Sequence, residues 1–109
     1  MVFIHGGAFA FGLAQEYSED GTCENLARRG VIVVVIQYRL LLYGFFSTGD
    51  SAALGNYAIW DQVEALKWIQ RNIAHFGGDP KRVTIFGESA GAAGVSYLTY
   101  APVAKGIVY

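Results

Sequence analysis

The chain is short of several features that would otherwise direct its reading. Its single cysteine, Cys23, allows no internal disulfide. That thiol is expected to pack as a small apolar group, the alternative being half of a bridge to a partner outside this segment. Charge is sparse and balanced: eight basic against nine acidic side chains leave a net charge of −1. No basic stripe exists that could grip a phosphate backbone, which argues against nucleic acid as a partner. The longest strongly apolar run, "VIVVVI" at Val31–Ile36, falls far short of the roughly 20 residues that cross a bilayer. There is no basic-then-apolar leader, and Met1 runs straight into "VFIHGGAF", as expected of a truncated chain. No Asn-x-Ser/Thr acceptor occurs.

What is present is apolar. Hydrophobic residues make up 53% of the chain and aromatics 15%, which excludes a disordered segment. A length of 109 residues allows at most one small domain. "VFI" (Val2 to Ile4) reads as a buried strand entering a tight loop at His5-Gly6-Gly7. Thr22 to Arg29 reads as a helix, with Thr22 as N-cap, two arginines in the last turn and Gly30 as the stop. Val31–Ile36 is β-branched on both faces, the mark of a strand covered on both sides.

An irregular stretch follows through "GFFSTGDSAALG". From Asn56, a natural cap, to His75 the apolar positions Ile59, Val63, Leu66, Ile69 and Ile73 recur at helical spacing, and "GGDP" ends the helix. "RVTIF" (Arg82 to Phe86) is a third strand, and helical character resumes after it. Strand and helix alternate, which predicts an α/β architecture of three parallel strands with crossover helices.

The third strand runs into "FGESAG", Phe86 to Gly91. A Gly-x-Ser-x-Gly motif alone means little among 14 glycines, but its setting between strand and helix adds weight. A sharp turn there lifts the serine side chain above the sheet, and glycines tolerate the crowding. The partly positive start of the following helix favours a developing oxyanion, and the Ala90 N–H is a natural donor to it. "HGGAF", His5 to Phe9, also follows a strand and is nearly free of side-chain bulk at Gly6, Gly7 and Ala8, so its amides can approach a carbonyl oxygen. The two motifs converge on acyl transfer through a covalent serine intermediate. Glycines used only for packing turns are the bland alternative.

"VFIHGGAFAFG", "QYRLLLYGFFSTGD", the long block "GNYAIWDQ…RVTIFGESAGAAG" and "APVAKG" together resemble successive blocks of the type B carboxylesterase family, the cholinesterase-like branch of the α/β-hydrolases. The resemblance spans the whole chain and implies a partial α/β-hydrolase fold with a nucleophile elbow. By it Ser89 is the nucleophile, Gly7, Ala8 and Ala90 supply the oxyanion-hole amides, and Gly6 shapes the loop. It makes His5 an organiser of that loop, Glu88 a lining residue of the pocket, and Arg39 with Asp61 an internal ion pair. The strand at Val2–Ile4 is implied to lie between the other two. The substrate is implied to be a small carboxylic ester, with neither cofactor nor metal, in a protein that is secreted or resides in the endoplasmic reticulum. Leu41 and Ala58 depart from the family pattern, which usually has glycine at both places.

A serine esterase also needs a histidine base and a carboxylate to orient it, following the serine in family order. The 20 residues after Ser89 contain no histidine, aspartate or glutamate. His75 lies at the entrance of the third strand and Ser89 past its exit, about 16 Å apart along five strand residues, beyond hydrogen-bond reach. The segment is therefore expected to be inactive alone. The rival class is an adhesion or scaffold protein of the same fold, though such relatives typically lose the nucleophile.

Overall fold

A computed structural model describes residues 1–17 and 19–107, leaving aside the side chains of Glu19 and Cys23; the reading of Cys23 falls outside the described residues. The elements are β1 (Val2–Ile4), α1 (Glu19–Asn25), β2 (Val34–Ile36), α2 (Leu41–Phe45), α3 (Tyr57–Asn72), β3 (Ile85–Gly87) and α4 (Ala90–Tyr100). The strands form one parallel sheet in the order β2-β1-β3, with β1 central. Ile4 pairs with Ile36 on one side and with Gly87 on the other, so all three strands end at the same edge.

The period of two along each strand sorts the sheet into faces. Val2, Ile4 and Ile36 point into the main core beneath α3 and α4, joined there by Val63, Leu66, Ile69 and Leu98. Each of these fully buried aliphatic side chains contributes about 1.5–3 kcal/mol of burial free energy. Phe3, Val35 and Phe86 share register on the other face, where Phe3 meets the Tyr17 ring at 4.6 Å and that of Phe86 at 5.0 Å. This second face is only half covered, so β2 is less enclosed than its β-branched run suggests.

Several element bounds differ from expectation, each for a physical reason. Thr22 lies inside α1 and so does not cap it, and the helix passes into a 3-10 turn at Ala27–Arg29. Gly30 ends that 3-10 turn, not the α-helix, in the left-handed region at φ 77°. Asn56 occupies the cap position of α3 but adopts φ 57° and makes no side-chain cap; its carbonyl instead accepts from Ile59 and Trp60. Asparagine tolerates that left-handed conformation better than most residues. Of the expected stripe, Val63, Leu66 and Ile69 are buried on α3 and Ile73 just past its end, whereas Ile59 is half-buried; Ala58 and Gln62 join them, both fully buried.

The short helix α2 overlaps a region expected to be irregular. It begins at Leu41 with φ 50°, a conformation that explains why glycine suits this position. Ala58 is accommodated by Gly44, where a β-carbon would meet the Ala58 methyl at 3.0 Å.

Candidate active site

The common edge of β1 and β3 brings the two glycine-rich motifs together. Ser89 joins β3 to α4 at φ 53° and ψ −121°, a region that costs an L-residue about 1–3 kcal/mol. Its neighbours make room for that bend. A β-carbon at Gly87 would sit 2.7 Å from the Ile4 carbonyl oxygen, and one at Gly91 would sit 2.7 Å from that of His5. Only glycines let β1, β3 and α4 meet this closely. Ser89 itself is exposed, while Ala90 behind it is buried.

The loop after β1 lies against this bend. A β-carbon at Gly6 would stand 3.1 Å from Ser89 Cβ and 2.9 Å from the Glu88 carbonyl oxygen, and would also strike Glu88 Oε2. The Glu88 side chain thus lies beside the Gly6 backbone, and Glu88 is exposed. Gly7, Ala8 and Phe9 follow with φ of 105°, 54° and 58°. The Gly7 carbonyl accepts from Ala10 and Phe11, at 2.8 and 3.0 Å. Among the described residues no hydrogen bond occupies the N–H of Gly7, Ala8 or Ala90. Unpaired backbone donors are what a developing oxyanion requires.

Among the described residues neither histidine ring hydrogen-bonds Ser89. His5 is fully buried, with Nδ1 2.8 Å from the Gly6 carbonyl oxygen and its ring stacked on Tyr38 at 4.6 Å. Its Nε2 has no partner among the described residues. His75 lies beyond α3 in the 3-10 turn Ile73–Phe76, exposed, with Nδ1 3.2 Å from the Asn72 carbonyl oxygen. Among the described residues no three His, Cys, Asp or Glu side chains cluster as a metal site would require, and no helix is long and apolar enough to cross a membrane.

Sequence reasoning passed over Tyr38. Its hydroxyl donates to the His5 carbonyl at 2.6 Å, and Phe9 packs edge-on to its ring at 6.4 Å. Continuing the alternation of β2 past Ile36 would have pointed to it, since Ile36 and Tyr38 are buried and Gln37 between them is exposed. Burial, followed by the field of Tyr17, raises the Tyr38 phenol above its ordinary value, so it remains a proton donor.

Arg39 does pair with Asp61. Its Nε and Nη2 donate to the two carboxylate oxygens at 2.7 and 2.6 Å, and its backbone N–H adds a third bond at 3.0 Å. The pair is less internal than expected, with the Arg39 side chain 51% exposed. Burial alone would raise the Asp61 carboxyl; the Arg39 hydrogen bonds outweigh it and hold the carboxyl below its usual range.

Comparison with known proteins fits this arrangement. The model of the carboxylesterase family matches residues 1–109. The chain belongs to the carboxylesterase family. It is 57% identical to the cocaine esterase of Homo sapiens, over all of this chain and 19% of that protein. It is 53% identical to a pyrethroid hydrolase of Rattus norvegicus, again over all of this chain and 19% of the relative. It thus spans about a fifth of the length of these relatives.

Among solved structures, the carboxylesterase of Geobacillus stearothermophilus superposes with a TM-score of 0.87 at 45% identity, covering 98% of this chain and 24% of that one. The juvenile hormone esterase of Manduca sexta, with OTFP covalently attached, gives 0.87 at 41% identity, covering 98% and 20%. The architecture is accordingly part of an α/β-hydrolase fold, with β1 between its two neighbours as the family resemblance implied.

Proposed function

We propose that this segment carries the nucleophile and oxyanion hole of a longer carboxylic ester hydrolase. Ser89 Oγ attacks the ester carbonyl carbon, its proton passing to a histidine supplied from outside these residues. The carbonyl oxygen takes the negative charge and is held by the N–H groups of Gly7, Ala8 and Ala90. Collapse of this intermediate breaks the bond to the alcohol oxygen, which leaves with the proton from the histidine. Water then attacks the acyl-serine by the same route, releasing the carboxylic acid and restoring the hydroxyl. Gly6 gives the loop its close approach, and Glu88 lines the pocket. The segment alone, without the triad acid and histidine, is inactive.

The observation that supports this reading is the approach of the Gly6 backbone to Ser89 Cβ, together with a strained, exposed Ser89 and unpaired N–H groups at Gly7, Ala8 and Ala90. A covalent ligand on the Manduca sexta relative is in keeping with it. The test uses the full-length protein carrying this segment, with p-nitrophenyl acetate as substrate and a fluorophosphonate as label. One phosphonyl group should add at Ser89, and Ser89→Ala should lose both labelling and turnover. Turnover that survives Ser89→Ala, or a label on another residue, overturns the assignment and favours a non-catalytic role for this fold.

A further inference from the structure

The donors of the loop are aimed by what holds its carbonyls. In a trans peptide the C=O of one residue and the N–H of the next point in opposite directions, so pinning a carbonyl fixes the following amide. Three successive carbonyls are pinned: those of Gly6 and Gly7 directly precede the free amides of Gly7 and Ala8, and that of His5 lies one peptide earlier, at the base of the loop. The Tyr38 hydroxyl binds the His5 carbonyl, the His5 ring engages the Gly6 carbonyl, and Ala10 and Phe11 hold that of Gly7. A fourth tie closes the loop, from the Leu41 N–H to the Phe9 carbonyl at 2.8 Å.

We propose that Tyr38 is a positioning residue for the oxyanion hole, acting from the end of β2 through its hydroxyl on the His5 carbonyl and its ring on the His5 imidazole. The reading rests on the proposed esterase function. The hydroxyl orients the His5–Gly6 peptide, and the stacked ring holds the imidazole whose Nδ1–H then orients the Gly6–Gly7 peptide. Together with the Leu41 tie, the segment 38–41 grips the loop at both ends of its run of positive φ. This bracing lets Gly7, Ala8 and Phe9 keep conformations that L-residues and extended chains avoid. Tyr38 is 3% exposed, so water does not compete for the bond.

The test compares Tyr38→Phe with the unaltered full-length enzyme, counting active sites by phosphonate titration. Phenylalanine keeps the stacked ring and removes only the donor. The expected result is a fall in kcat of about tenfold or more at nearly unchanged KM, because misdirected amides weaken the transition state and leave ground-state binding alone. Inhibition by a trifluoromethyl ketone, which forms a tetrahedral oxyanion on the serine, should weaken in proportion, whereas competitive inhibition by product carboxylate should not. Ile69→Val, a destabilising change in α3 remote from the loop, should leave kcat per titrated site unaltered.

Equal kcat and equal ketone affinity in Tyr38→Phe overturn the proposal. If the variant does not fold, exchange of the Ala10 and Phe11 amides, which donate to the Gly7 carbonyl, decides in the unaltered enzyme. Protection that is already present before phosphonylation supports a loop braced in advance, and protection that arises only in the adduct overturns it. Absence of turnover and labelling in the unaltered protein would instead count against the esterase reading itself.

Discussion

The α-carbon of Gly91 rests directly on the carbonyl of Ile4, leaving no room for a side chain between α4 and the central strand. This contact, repeated at His5, sets the height at which the Ser89 bend stands over the sheet. Gly91→Ala should therefore destabilise the full-length protein by about 1–3 kcal/mol or more, since the obstructing atoms are backbone in a strand paired on both sides and cannot rotate away. Chemical denaturation measures this. An unshifted midpoint would mean that the helix and strand do not touch at this place.

Strain at Ser89 separates stability from activity. At φ 53° any side chain with a β-carbon is penalised, so removing the hydroxyl alone relieves nothing. Ser89→Gly should be more stable than Ser89→Ala by about 1 kcal/mol, less the chain entropy that glycine loses on folding, and both should be inactive. Thermal melts of the two variants check the ranking; an alanine variant at least as stable as the glycine one would contradict a strained bend.

Leu41 offers the same test at a place with no proposed role in the chemistry beyond its backbone N–H. It is 59% exposed at φ 50°, so its side chain gains little from burial while its backbone is strained. Leu41→Gly should raise stability by about 0–1 kcal/mol, the balance between left-handed strain and unfolded-state entropy. A clear loss in a denaturation experiment would show that the Leu41 side chain holds more than its exposure indicates.

Much of this was legible because local patterns and global fold agree. The period on α3 gave Val63, Leu66, Ile69 and Ile73, and the glycine spacing around Ser89 marked a place where backbones meet. What was not legible depends on contacts distant in sequence. The alternation past Ile36 marks Tyr38 as buried, but its bond to His5 spans 33 residues and no local pattern names that carbonyl as its partner. Asn56 illustrates another limit. Its residue type suits both a side-chain cap and a left-handed turn, and the folded chain takes the second. Gln62 was hidden by its polarity, since an amide would not be placed in a core, yet it lies fully buried against Gly94.

The Arg39–Asp61 pair makes a signed prediction in pH. The Asp61 carboxyl is held below its ordinary value in the folded chain, so its contribution is fully present above the unfolded carboxylate range near about 4. It is lost as pH falls through the lower folded value, where protonation removes the charge that Arg39 binds. Asp61→Asn should therefore lower the melting temperature at neutral pH, and the gap to the unaltered protein should close on acidification below about pH 4. Because Arg39 is half exposed, added salt should shrink the neutral-pH gap as well. A gap constant from neutral to strongly acidic pH would show that Asp61 acts by shape alone.

The 109 residues expressed by themselves should not behave as an enzyme. Among the described residues β2 and β3 each pair with β1 alone, so both outer edges of the sheet offer unbonded backbone groups to other chains. Apolar side chains such as Phe11, Leu42, Tyr43, Leu54 and Tyr100 stand more than half exposed, which adds a drive towards association. On the proposed function the chemistry is incomplete as well, since the His5 ring is enclosed by its own loop and Tyr38 while His75 sits in the turn Ile73–Phe76 after α3. A serine hydroxyl with no base stays protonated, and oxyanion donors alone give only a small residual acceleration. Hydrolysis of p-nitrophenyl acetate by the isolated segment should thus be slow and indifferent to Ser89→Ala, in a sample that sediments as aggregates. Rapid turnover abolished by Ser89→Ala would mean that a base within these residues reaches Ser89, and His5 would then have to swing out of its buried stack.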